Sequence, residues 1–148
     1  MDLKNSINHL SLSEAIEALR THYHGLMQGD EADAQSWFLN HDATHVIFGT
    51  VPFDLKGETF NDIWTIFGST VTFKEYLEFF NFIDSSKVFR AYGGRLKVFF
   101  VIIRLIPRCF RVFMQTRKMT KKWPWAVTED ILLKKIGDLR AEFNIKLL

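Results

Sequence analysis

Apolar residues recur along this chain at three- and four-residue intervals, and the strict alternation of a half-buried strand is essentially missing. Ser11 and Glu14 have the spacing of a capping box, with Leu12, Ala15, Ile16, Leu19 and Tyr23 on one stripe behind it. Gly25 and Gly29 are expected to close that first helix. A second helix should start near Asp30 or Asp33 and run through Trp37, Phe38 and the HDATH segment to Gly49. Thr50 to Gly57 reads as a loop punctuated by Pro52 and Gly57. Glu58 would then open a third helix carrying Phe60, Ile63, Trp64 and Phe67, ended by Gly68. Thr72 and Glu75 form another capping box, followed by a stripe of Phe73, Tyr76, Leu77 and Phe80. Lys87 to Met119 is the longest helical stretch, with bends expected at Gly93-Gly94 and at Pro107. Trp123-Pro124-Trp125 breaks the chain before a last helix, in which Ile136, Leu139 and Phe143 share a face. The pattern predicts one all-α domain over residues 1–148, with six to seven helices.

A chain of 148 residues can bury one core and little more. Fifteen phenylalanines and four tryptophans make that core bulky and aromatic, either solid or lining a cavity. Nineteen Lys plus Arg against seventeen Asp plus Glu is too balanced for a nucleic-acid partner. Cys109 is the single cysteine, which excludes an internal disulfide and a thiolate zinc site. The longest apolar run, Val98 to Ile103, falls far below the ~20 residues a spanning helix needs. The first twenty residues contain acids and no apolar run of the kind found in signal or transit peptides. The expected location is therefore cytoplasmic, or peripheral on the cytoplasmic face of the inner membrane, with a homo-oligomer as the expected assembly.

Charge is unevenly distributed. Basic residues recur from Arg90 to Lys122 with no acid among them, whereas Asp30 to Asp84 holds most of the acids. Arg104, Arg108 and Arg111 fall at i, i+4 and i+7, one helical face, among Phe99, Ile103, Ile106 and Phe110. Two readings fit them. They are the solvated face of a core helix, or a basic amphipathic segment lying on an anionic membrane or holding a phosphate head group. Cys109 reads as a small buried hydrophobe, Trp123 and Trp125 as packing residues, and His9, His22 and His24 as ordinary polar positions.

The sharpest chemical signal is His41-Asp42-Ala43-Thr44-His45. Two imidazoles four residues apart lie about 40° apart around a helix and one turn along it, so both can reach one ion. Asp42 is about 100° from His41, on the flank, where it can ligate directly or orient a ligand one shell out. Glu58 follows a short loop and can fold back with a carboxylate oxygen. Two nitrogens with one or two carboxylates suit a divalent metal, zinc best, iron or manganese nearly as well.

The run HDATHVIFGTVPFDLKGE resembles the metal motif of the Coq-four family of ubiquinone biosynthesis: HDxxH, a Gly four residues on, then a Gly-Glu pair. These positions are His41, Asp42, His45, Gly49, Gly57 and Glu58. The resemblance extends over roughly residues 28–148, ending in LKKIGDLRAEFNI, which is similar to that family's closing helix. Twelve residues separate His45 from Glu58, one more than the family's usual spacing, and the addition is expected in the Thr50 to Lys56 loop. The resemblance implies a helical protein that binds a long-chain isoprenoid or polyprenylated quinone precursor beside the ion. It also implies either oxidative removal of a ring carboxyl group or organisation of other ubiquinone-biosynthesis enzymes. A non-catalytic lipid-binding or scaffold protein with a structural metal is the alternative.

Metal-dependent hydrolases use related motifs. A peptidase of the HExxH kind would need Asp42 as its base, one methylene too short. A His-Asp phosphohydrolase would need further ligands, for which His22 or His24 and Asp62 or Asp84 are the candidates.

Overall fold

The computed structural model describes residues 2–23, 32–78 and 89–148, with the side chains of residues 32–34 also left out of that description. Seven helices have both ends within it: α1 (Leu12–His22), α2 (Ala32–Phe48), α3 (Leu55–Gly68), α4 (Phe73–Leu77), α5 (Arg95–Thr116), α6 (Glu129–Leu132) and α7 (Ile136–Glu142). The fold is all-α, and the described residues form no strand. Two isolated bridges, Ser11 with Lys135 and Ser69 with Trp123, tie loops to helix ends. The expected closing glycines Gly25 and Gly29, together with His24, Phe80, Asp84 and the start at Lys87, lie outside the described residues.

Local rules explain most boundaries. Both capping boxes form: the Ser11 and Thr72 hydroxyls accept the Glu14 and Glu75 N–H groups, while each glutamate bonds back to its cap. Gly49, at φ +64, ends α2 in the left-handed conformation that suits glycine. The start of α3 differs from expectation. Asp54 caps it by accepting the Gly57 N–H, so the helix begins at Leu55 and Gly57 belongs to its first turn. Gly57 is there for closeness: a Cβ would stand 2.0 Å from the Val51 carbonyl oxygen. The expected bend at Gly93-Gly94 is a full break, with φ of +88 and +96, and α5 then runs unbroken through Pro107.

The core is built from α1 (Leu12, Ile16, Leu19), the end of α2 (Val46, Ile47, Phe48), Trp64 of α3, Val112 of α5, and Trp123 with α7. Phe48 and Trp64 stack with centroids 4.8 Å apart, seating α2 on α3. Trp123 is fully buried and Trp125 packs with Trp37 and Phe38, so both act in packing, as expected. The phenylalanines are not all inside. Phe73 of α4 is 72% exposed, so the stripe expected to be buried there is largely outward.

Arg140 of α7 is buried without a carboxylate partner among the described residues. Its five N–H groups are all used. Nε donates to the Ile47 carbonyl, Nη1 to the Lys4 carbonyl and Asn8 Oδ1, and Nη2 to the Leu3 and Val46 carbonyls, at 2.7–2.9 Å. A cation thus satisfies the last carbonyls of the histidine-bearing helix, where its dipole is negative.

Candidate metal centre

His41 and His45 lie one turn apart on α2, and Glu58 reaches them from the first turns of α3. Glu58 Oε2 stands 3.3 Å from His45 Nε2 and 3.9 Å from His41 Nε2, and one ligand atom from each residue falls within 4.8 Å of the others. The group can hold a metal ion. His45 is completely buried, whereas the His41 and Glu58 side chains are 15% and 25% exposed, so the cluster opens on one side.

Each member is oriented by its neighbours. His45 Nδ1 faces two acceptors, the Thr50 carbonyl and the Thr50 hydroxyl oxygen, both at 3.1 Å. That hydroxyl spends its own proton on Asn61 Oδ1 at 3.0 Å, so the network assigns the ring proton to Nδ1. Nε2 is then a lone pair facing a carboxylate oxygen, and it has no hydrogen-bond partner. These buried groups need positive charge between them, a metal ion or a proton, and the donor set of two imidazoles and a carboxylate fits a metal. Asn61 Nδ2 donates to Thr44 Oγ1 at 2.9 Å and lies 3.5 Å from His41 Nε2. The His41 ring is stacked on Trp37, with centroids 5.0 Å apart.

Glu58 is set by a strained turn. Phe53 adopts φ +59, uncommon outside glycine, and its N–H donates to Glu58 Oε1 at 2.7 Å. Oε1 is thereby occupied while Oε2 faces the histidines. Across the twelve residues that separate it from His45, Glu58 reaches the histidine pair.

Electrostatics agree with this arrangement. Burial, with His45 close by, holds His41 down at about 3 despite the opposing pull of Glu58, so the ring is neutral and offers a lone pair at ordinary pH. Burial pushes the Glu58 carboxyl up, but His45, His41 and the Phe53 N–H outweigh it and keep the group below its usual range.

Asp42 stands apart. Its Oδ2 accepts from Arg20 Nε of α1 at 2.7 Å, and it is not part of the cluster formed by His41, His45 and Glu58. The roughly 100° step along the helix turns it toward α1. Burial raises its carboxyl above the usual range against the pull of Arg20. The same bond leaves Asp42 badly placed to serve as the base of a peptidase. A cavity of about 460 Å³ lies on this Arg20 side, lined by Ser13, Ile16, Glu17, Thr21 and Leu39.

Asp62 follows Glu58 by one helical turn and accepts the Tyr76 hydroxyl proton; burial raises it to about 6. His22, on α1, packs edge-on against Tyr23. Cys109 is partly buried, and burial pushes its thiol up, away from reactivity. Arg104, Arg108 and Arg111 are exposed on α5. Asn61 and Thr50 are the members that motif reasoning passes over. Asn61 had a signal, since it follows Glu58 by three residues on one helix, whereas Thr50 acts through its carbonyl and hydroxyl from just beyond the end of α2, where no spacing marks it.

No protein-family model, curated protein or solved structure matches the chain. Among the described residues no helix is long and apolar enough to cross a membrane.

Proposed function

We propose that this chain is a divalent-metal protein whose His41–His45–Glu58 centre takes the oxygen of a polyprenylated aromatic acid or phenol. The observation that carries the metal is the buried His45 Nε2, which has no hydrogen-bond partner and is turned toward Glu58 while Nδ1 is engaged by Thr50. Zinc suits two imidazoles and a carboxylate best, with iron or manganese close behind. Three protein ligands with an open side are the pattern of a site that leaves a position for substrate or water, not of a closed structural site.

The substrate class and the place in ubiquinone biosynthesis, alongside that pathway's other enzymes, rest on the resemblance of the HDATH…GE segment. Oxidative decarboxylation of the ring is the reaction this reading assigns. When bound, the ion supplies Lewis-acid polarisation of a carboxylate or phenolate oxygen, and electron transfer if it is iron or manganese. The chain's own share is to hold the three ligands in place, with the His45 ring oriented by Thr50, and to exclude water behind His45. The alternative is a lipid-binding scaffold in which the ion only staples α2 to α3.

Metal analysis of the purified protein decides the first point. One ion per chain is expected, lost in His41→Ala, His45→Ala and Glu58→Ala. A protein that holds no ion and gains none on titration with zinc, iron(II) or manganese sinks the proposal. Mass spectrometry of its organic extract, with assay of ring decarboxylation, tests the rest. Variants that lose metal and stability but keep both lipid and pathway output establish the scaffold instead.

A further inference from the structure

Among the described residues, helix α5 buries one narrow arc and leaves a wider apolar one uncovered. Val98, Leu105, Val112 and Thr116 are its buried positions and fall within about 40° of one another, and the helix packs on α3. On the other side Leu96, Phe99, Phe100, Ile103, Ile106 and Phe110 share an arc of about 120°. They are between 45% and 71% exposed. So large a continuous apolar surface marks an interaction site.

Charge identifies the occupant. Lys97, Arg104, Arg108 and Arg111 form an exposed stripe within roughly 60°, directly beside the apolar arc. No acid lies between Arg90 and Lys122, and none of the four forms an ion pair with a described carboxylate. A second copy of the chain packed antiparallel on this face would set two like-charged stripes close together. An anionic lipid surface instead accepts the side chains into its acyl boundary and the stripe at its phosphates.

We propose that α5 docks the protein flat on an anionic bilayer, with its aromatic arc in the head-group region. The helix is 22 residues long, about 33 Å, and it is not apolar enough to span, so it lies in the plane. Because α3 packs on its opposite side and carries Glu58, docking would hold the metal centre about one helix layer from the lipid. This inference stands on the surface of α5 and not on the identity of the metal or of its substrate.

Vesicle co-sedimentation of the intact protein tests it, with phosphatidylcholine vesicles compared against phosphatidylcholine mixed with phosphatidylglycerol. Binding is expected only with the anionic lipid, and it should weaken as salt is raised. Arg104→Gln, Arg108→Gln and Arg111→Gln should each lower partitioning about fivefold. Phe99→Ser with Phe110→Ser should weaken it while circular dichroism stays helical. Failure to bind anionic vesicles, or binding indifferent to these substitutions, overturns the proposal. So does a chain that sediments as a dimer and becomes monomeric in Phe99→Ser/Phe110→Ser with vesicle binding unchanged. Its failure leaves the metal assays untouched.

Discussion

At the scale of single residues the metal centre depends on protons held in place. Thr50 directs the His45 ring proton to Nδ1 and passes its own to Asn61, which leaves Nε2 for an ion. Thr50→Val keeps the backbone acceptor but deletes the hydroxyl, and metal affinity should fall by about tenfold, the low end of second-shell losses. Zinc titration against a chromogenic competitor measures it, and an unchanged affinity would show that the Thr50 hydroxyl does not orient His45. The pair His41 and His45 was legible from four-residue spacing, and Glu58 from the motif beside it. Asp42 was not, because a residue on the flank of a face turns whichever way its partner lies. That partner, Arg20, comes from another helix.

Elements were legible where capping is local. The boxes at Ser11 and Thr72 need only their own four residues, and both form as expected. The start of α3 was obscured because Gly57 reads as loop punctuation, while its real constraint is the Val51 carbonyl lying against it. Gly57→Ala would force that first turn and the strained Phe53 away from each other. A loss of roughly 1–3 kcal/mol in urea unfolding is expected, the usual range for overpacking. Glu58 should be displaced as well, so metal affinity should fall with it; a variant as stable as the parent would contradict the contact. The exposed arc of α5 was illegible for a different reason. A helix apolar around most of its circumference does not say in sequence which arc meets the core, and the arginines alone fit a core helix equally well.

For the whole molecule, acid acts through groups whose protonation differs between the folded and unfolded chain. His41 sits at about 3 when folded against 6.5 in the open chain. The unfolded chain therefore binds an extra proton between those values, and the His41 share of stability is lost as pH falls through that window. Asp62 works in the opposite direction: raised to about 6 from 3.8, it favours the folded state as pH falls between those values. Between pH 6.5 and 6 the histidine outweighs Asp62, although the carboxyl is itself about half protonated in the folded state at the lower end. Metal-free protein should lose stability there on acidification, and His41→Gln should flatten that part of the profile. Urea midpoints across the range report both, and a parent profile identical to that of His41→Gln would refute the assignment. The all-α class itself was legible from periodicity, since the helical repeat needs no knowledge of partners. The packing of α1 behind Asp42 required the assembled fold.

Arg140 ties distant parts of the chain to one helix end. Its guanidinium joins Leu3 and Lys4 to the carbonyls of Val46 and Ile47 across 137, 136, 94 and 93 positions of chain. Contacts so distant cost the most loop entropy to close. The helix that carries both histidines is thus fastened at its end by the beginning of this chain and by α7, and a cut anywhere between them is felt at the site that would hold the ion.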